Sequence, residues 1–214
     1  ERRELWFQAG GRVPDHNPYY LDICRVNIDT GEITTIIATD HEYIALGLRS
    51  TISTMRGFFD PDFQINASGI SPGTDYIVAT RSRVDQVPVS ILLDREGGTQ
   101  LEIEVADISS LPNNWQWPEP VKLLSADGKT DIYGVVFRPA NLAPDQQYPV
   151  IDCSMCMAEL AGVPRGSFSN AELGGVWYLQ AAALAELGFV VVMIGGRGTP
   201  YRDKNFVDSS YGWL

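Results

Sequence analysis

Gly69-Ile70-Ser71-Pro72-Gly73 has the G-x-S-x-G spacing that can present a serine nucleophile on a tight strand-to-helix turn. In such an elbow the residue after the serine donates its backbone N–H to the oxyanion. Here that residue is Pro72, which has no N–H. Tyr76 to Thr80 follow with strand character, so the motif reads as a turn. Cys153-Ser154-Met155-Cys156 has C-x-x-C spacing, which suits redox pairs and metal ligands. A structural zinc wants four ligands, and the only histidines, His16 and His41, are far off in sequence. The remaining cysteine is Cys24; three cysteines make no disulfide framework. The pair reads as small residues packing after a strand.

Gly128-Lys129-Thr130 ends like a phosphate-binding loop, but Leu123 and Leu124 stand where its first glycine belongs. A hairpin turn is the better reading. Gly195-Gly196-Arg197-Gly198 follows an apolar run, where dinucleotide folds place glycines. The third glycine of that fingerprint is Tyr201 here, and Pro200 intrudes before it. No nucleotide site is expected, although a loop at that end of a strand can border an active site. Arg202, Asp203, Lys204 and Asp208 alternate in sign and read as a solvated loop. No metal and no cofactor is expected.

The elements that must position these residues are bounded by composition. The chain has 214 residues, 16 Lys+Arg and 27 Asp+Glu, and a net charge of −11. That sign opposes binding to nucleic acid, which needs a basic face, and to anionic membrane surfaces. Apolar residues at 44% and charged residues at 20% exclude a disordered chain. No apolar run reaches the ~18–20 residues of a membrane helix, so no membrane segment is expected within this stretch. Compartment stays open.

Residues 1–110 read as all-β. Leu5 to Phe7, Tyr19 to Val26 and Ile33 to Ile37 are strand-like, with a turn at Asp29-Thr30-Gly31. Phe63 to Asn66, Tyr76 to Thr80, Val87 to Leu93 and Leu101 to Val105 form a second set, with a turn at Glu96-Gly97-Gly98. The two sets suggest a repeated four-stranded antiparallel unit, the blade of a β-propeller. Residues 39–62 read as a loop or insertion between them. Residues 111–120, rich in Pro and Trp, read as a linker. Residues 121–214 then open an α/β sheet. Val121 to Leu124, Ile132 to Phe137 and Tyr148 to Asp152 are strands. Leu173 to Leu187 is a helix, with Val176, Leu179, Ala183, Leu184 and Leu187 at 3–4 spacing. Gly188 stops it, and Phe189 to Ile194 is a strand buried on both faces.

An ordered set of motifs runs through the second half. Trp117-Pro118-Glu119-Pro120 comes first, then Ser125 to Val135, Phe137-Arg138-Pro139 and Tyr148 to Asp152. Ala183 to Val192, Arg197 to Pro200, Phe206 and Ser210-Tyr211-Gly212 continue it. This set resembles the opening of the catalytic domain of prolyl oligopeptidase-family serine peptidases of the dipeptidyl peptidase IV type. Residues 1–110 resemble the last blades of that family's propeller more loosely.

The resemblance implies β-propeller blades followed by the N-terminal part of an α/β-hydrolase domain, both incomplete. It implies a serine peptidase that cleaves short peptides through an acyl-enzyme. In the family's chain order the catalytic serine, aspartate and histidine come after Leu214, so no triad residue is expected in this stretch. A peptide substrate is the implied partner, and a homodimer of the intact protein is compatible with the family. One family site should fall inside: a tyrosine after the third hydrolase strand whose hydroxyl donates to the oxyanion. Met155 stands at that place, and a thioether cannot donate. Ser154 is the nearest hydroxyl. The acidic residue of the family's Asp-x-Arg-Gly stretch is replaced by Gly195. The resemblance places the glutamates that hold a substrate amino terminus upstream of this stretch. Alternatives are a non-catalytic propeller and hydrolase-like binding protein, or an esterase on the same fold. The open edges left by such a cut lead to the expectation that residues 1–214 alone are inactive and aggregate.

Overall fold

The computed structural model describes residues 2–45, 69–154, 156–157, 160–161, 163–168 and 175–209. Their regular secondary structure is mostly β-strand, with few helices. The chain divides into two compact units, Glu1–Arg83 with Val87–Ala106, and Val84–Gln86 with Asp107–Leu214.

Among its described residues the first unit holds two antiparallel sheets. One is β1 (Glu4–Gly10), β2 (Leu21–Asn27) and β3 (Ile33–Ile37), in that order. The other runs β4 (Glu42–Ala45), β5 (Tyr76–Arg83), β6 (Gln86–Asp94) and β7 (Thr99–Val105). Alternating residues of the two sheets share one core. Ile23 and Ile36 meet Ile77, Ala79, Val89, Ile91 and Leu93, all nearly excluded from water. Both expected turns are present: Gly31 N donates to Asn27 O at 2.8 Å, and Gly97 N to Asp94 O at 3.1 Å.

Strand β4 falls inside the stretch read as a loop. Four residues are too few to display a period, yet Tyr43 and Ala45 are buried, and the Glu42 carboxylate accepts the Leu21 N–H at 2.8 Å. The strand expected at Phe63 to Asn66 lies outside the described residues. Tyr19 and Tyr20 precede β2 in a turn, where the Asn17 side chain accepts the Tyr19 N–H at 3.1 Å. Strand β7 alternates apolar and acidic residues, as a half-buried strand does, but it is an exposed edge. The register slips between Ser90 and Ile91 and again between Leu92 and Leu93, and Leu101, Ile103 and Val105 are all exposed.

Gly97 sits at φ +90°, and a Cβ there would lie 1.9 Å from the Ile36 carbonyl oxygen. Only a residue without Cβ fits both demands. Gly97→Ala is therefore expected to cost about 2 kcal/mol. A urea midpoint matching the wild type would contradict this packing of the turn.

In the second unit, β8 (Glu119–Leu124) and β9 (Asp131–Phe137) form a hairpin, and β10 (Val150–Asp152) follows. A small ladder of β11 (Cys156–Met157) and β12 (Leu160–Ala161), not foreseen from sequence, comes next. Then come α1 (Val176–Glu186), β13 (Val190–Gly195) and a short α2 (Lys204–Asp208). The sheet order is β10-β13-β9-β8, with β13 parallel to β10 and antiparallel to β9. Thus β13, expected as a central strand buried on both faces, is interior to the sheet, with Val191, Met193 and Gly195 buried and Val190, Val192 and Ile194 half-buried. Strand β8 begins at Glu119, so the last two residues of the expected linker pair with β9. The alternating charges at 202–208 form α2 rather than only a loop, because the Asp203 carboxylate caps the Asn205 and Phe206 N–H groups.

Helix α1 ends where expected, with Gly188 at φ +97°; Leu173 lies outside the described residues. Its buried face differs from the expected stripe. Tyr178, Ala181 and Ala185 are buried, while Val176, Leu179 and Leu187 are exposed. The helix is apolar all round, so 3–4 spacing can be drawn along several faces. The Tyr178 hydroxyl, donating to Val84 O at 3.1 Å, marks the inner one.

Candidate functional site

The carboxyl ends of β10 and β13 lie side by side because the two strands are parallel and in register, Val150 with Val190 through Asp152 with Val192. In open sheets this is where ligands bind. Under the strands lies a core of Phe137, Tyr178, Val191 and Met193. Phe168 packs on Tyr178 with ring centroids 5.5 Å apart, and Trp115 and Trp117 pack on Phe168 at 5.9 and 5.5 Å. These rings give the strand ends a rigid base.

Ser154 follows β10 directly. Its Oγ accepts the Ile194 N–H of β13 at 2.9 Å. Its own N–H donates to Asp152 Oδ1 at 2.8 Å, and its hydroxyl hydrogen-bonds the same carboxylate. The hydroxyl and then the N–H hold Asp152 below the usual carboxylate range. Ser154 thus staples the exit of β10 to β13. Met155 lies outside the described residues. The Cys153 thiol is free and packs against the core; burial, then the Asp152 charge, push it up, away from a reactive thiolate. Cys156 is in β11. Among the described residues no cluster of three or more His, Cys, Asp or Glu could hold a metal. No helix among them is long and apolar enough to cross a membrane.

Beyond β13, Arg197 reaches back to the β8–β9 turn. Its Nη2 donates to Ser125 Oγ at 3.1 Å, Thr130 Oγ1 at 3.2 Å and Asp127 Oδ2. The turn is built for this. Ser125 N donates to Thr130 O at 2.9 Å, and Gly128 takes φ +67°. That disposes of the phosphate-loop ending: Lys129 N–H faces the Asp127 carboxylate at 2.9 Å instead. The Ser125 hydroxyl, the Lys129 N–H and Arg197 together hold Asp127 well below the usual carboxylate range. Two hollows flank the Arg197–Asp127 pair, one of about 580 Å³ and one of about 280 Å³.

Further along, Arg202 stacks on Phe206 with its guanidinium 4.2 Å from the ring centroid and donates to Asp131 O at 3.0 Å. The buried Arg165 lies 4.8 Å over the Tyr201 ring. Sequence reading missed these anchors. The Ser-x-Asp-Gly turn hinted at a carboxylate held in place, but nothing in the sequence paired it with an arginine 70 residues away.

The other serine motif is elsewhere, in the first unit. Ser71 Oγ accepts the N–H groups of Asp75 and Tyr76, both at 3.1 Å, just before β5. It closes a turn, as read from the sequence. His41 Nδ1 is 3.0 Å from Thr39 Oγ1, and His16 lies in the field of Asp22.

No family model matches the chain. Over 89 residues, 42% of its length, it is 34% identical to dipeptidyl peptidase 8 of Mus musculus and of Homo sapiens. It spans only 9% of those proteins. A solved chain described as a dipeptidyl aminopeptidase IV from Bacteroides ovatus shares the fold, with a TM-score of 0.59 at 20% identity. The alignment covers 98% of this chain and 25% of that one.

Proposed function

We infer that this chain, whose resemblance to the dipeptidyl peptidase IV type of the prolyl oligopeptidase family the two comparisons bear out, belongs to a serine peptidase acting on short peptides. In this reading the two antiparallel sheets are propeller blades, the linker expected at residues 111–120 ends before Glu119, where β8 begins, and the second unit opens an α/β-hydrolase domain. The observation that carries it is the parallel pairing of β10 with β13 around α1, at the end of a sheet begun by an antiparallel hairpin. Two motifs of the resemblance, Tyr148 to Asp152 and Ala183 to Val192, run through β10, the end of α1 and the start of β13.

The nucleophile, general base and orienting carboxylate come from the remainder of the intact protein. This stretch supplies the floor of the site. A serine attacks the scissile carbonyl, a histidine takes its proton and returns it to the leaving amine, and water releases the acyl group. The exit of β10, at Ser154 and Met155, is where an oxyanion donor belongs.

A fluorophosphonate probe on the full-length protein tests this reading. One serine labelled per chain, blocked by prior incubation with a hydrolysable peptide, is the expected result. An unlabelled, folded protein would overturn it. A non-catalytic relative is the second reading, and one observation favours it: the Ser154 hydroxyl is already committed to Asp152 and Ile194. It predicts no labelling and retained peptide binding.

A further inference from the structure

The guanidinium of Arg197 is held by one arm only. Nη2 takes all three contacts to Ser125, Asp127 and Thr130. Nε and Nη1 have no partner among the described residues, and the side chain is 39% exposed. A guanidinium carries five N–H donors, so the free arm offers several to a ligand. The anchored arm removes the rotamer freedom that a surface arginine loses on binding.

The surroundings choose the ligand. One hollow beside Arg197 has walls of Ala126, Ile132 and Gly196, which suit an apolar side chain. The other is polar, with Thr130, Asn205 and Ser209. Asp127 and Asp203 stand at the same place, and Asp127 already balances the arginine charge. A second anion is disfavoured there, and the net charge of −11 adds to that. A peptide carbonyl, with a side chain beside it, meets this need for an uncharged acceptor between an apolar and a polar recess.

We propose that the hollow at Arg197 is a subsite for an extended peptide, the free guanidinium arm donating to a backbone carbonyl while the neighbouring apolar side chain fills the recess of Ala126 and Ile132. This rests on the peptidase reading and deepens it. The subsite lies at the carboxyl end of β13, where a chain crossing the strand ends would pass.

The test uses the full-length protein and the blocked peptide N-acetyl-Ala-Leu-Ala-amide, with a neutral (E)-alkene isostere in place of the amide that carries the leucine carbonyl. Calorimetry reads affinity for the wild type and for Arg197→Gln, Arg197→Lys and Ala126→Trp. Arg197→Gln and Ala126→Trp should each weaken binding about tenfold or more, with Arg197→Lys between. The alkene isostere should bind the wild type about tenfold more weakly than the parent peptide, and the Arg197→Gln protein no more weakly. Unchanged affinity in the variants, or equal affinity for the two peptides, overturns the subsite. Should Arg197→Gln fail to fold, Ala126→Trp, which leaves the Arg197 anchor intact, decides alone. Sodium acetate that displaces the peptide at low millimolar concentration would also overturn it, as it would mark an anion site. Fluorophosphonate labelling of the same variants separates the two readings: a labelled protein with unchanged peptide affinity sinks the subsite and leaves the peptidase standing.

Discussion

Tyr178→Ala should unfold the second unit with about 4 kcal/mol less resistance than the wild type, while Tyr178→Phe should lose only about 1 kcal/mol. The side chain is wholly buried and touches Phe137 and Phe168, with ring centroids 5.2 and 5.5 Å away. Removing it opens a cavity between α1 and the sheet and unseats the ring on which Trp115 and Trp117 rest. The phenylalanine keeps that volume and loses the hydrogen bond to Val84 O. Burial, then the charge of Asp85, drive the phenol pKa far up, so it donates as a neutral group at any ordinary pH. Chemical denaturation read by tryptophan fluorescence gives both numbers. Equal losses for the two variants would show that the hydrogen bond, and not the packing, holds the helix. Losses below 1 kcal/mol for alanine would remove Tyr178 from the core altogether.

That residue also marks the limit of what the sequence made legible. Most strands, the three glycine turns and the position of α1 follow from local rules. Asp29-Thr30-Gly31, Glu96-Gly97-Gly98 and Asp127-Gly128 each place a glycine where the backbone needs positive φ. Strand β13 announces itself as a run of branched apolar residues, which suits a strand flanked on both sides. The inward face of α1 does not, because Val176 and Leu179 are as apolar as Tyr178 and only the tertiary partner decides. Strand β4 escapes for a different reason: it is short, and its first residue is a buried glutamate whose partner is a distant backbone N–H. The candidate site divides in the same way. Ser154 and Arg197 could be named from their places after strands. Their partners, Ile194 and the Ser125–Thr130 turn, are brought to them by register, which no local pattern encodes.

Asp22→Asn should raise the stability of the first unit at neutral pH and leave it unchanged in acid. Asp22 is 4% exposed on β2, and burial first, then the neighbouring Glu42 charge, raise its pKa from 3.8 to about 6. His16 and Arg12 pull in the opposite direction and do not offset the burial. The sign follows from where protons sit. Below pH 3.8 both folded and unfolded chains hold the proton, and Asp22 contributes no penalty. Between about 4 and 6 the folded chain binds the proton more tightly, so stability falls as pH rises. Above pH 6 both states have lost it, and the folded state carries the cost of a buried charge beside Glu42. A shift of this size corresponds to about 3 kcal/mol at pH 7. The asparagine keeps the shape and has no charge to bury. Urea midpoints at half-unit steps from pH 3.5 to 8 should therefore converge for the two proteins in acid and diverge through the window from pH 4 to 6, with the variant more stable above it. Parallel curves across that range would mean that Asp22 titrates normally, and that the two carboxylates at the start of β2 and β4 reach water.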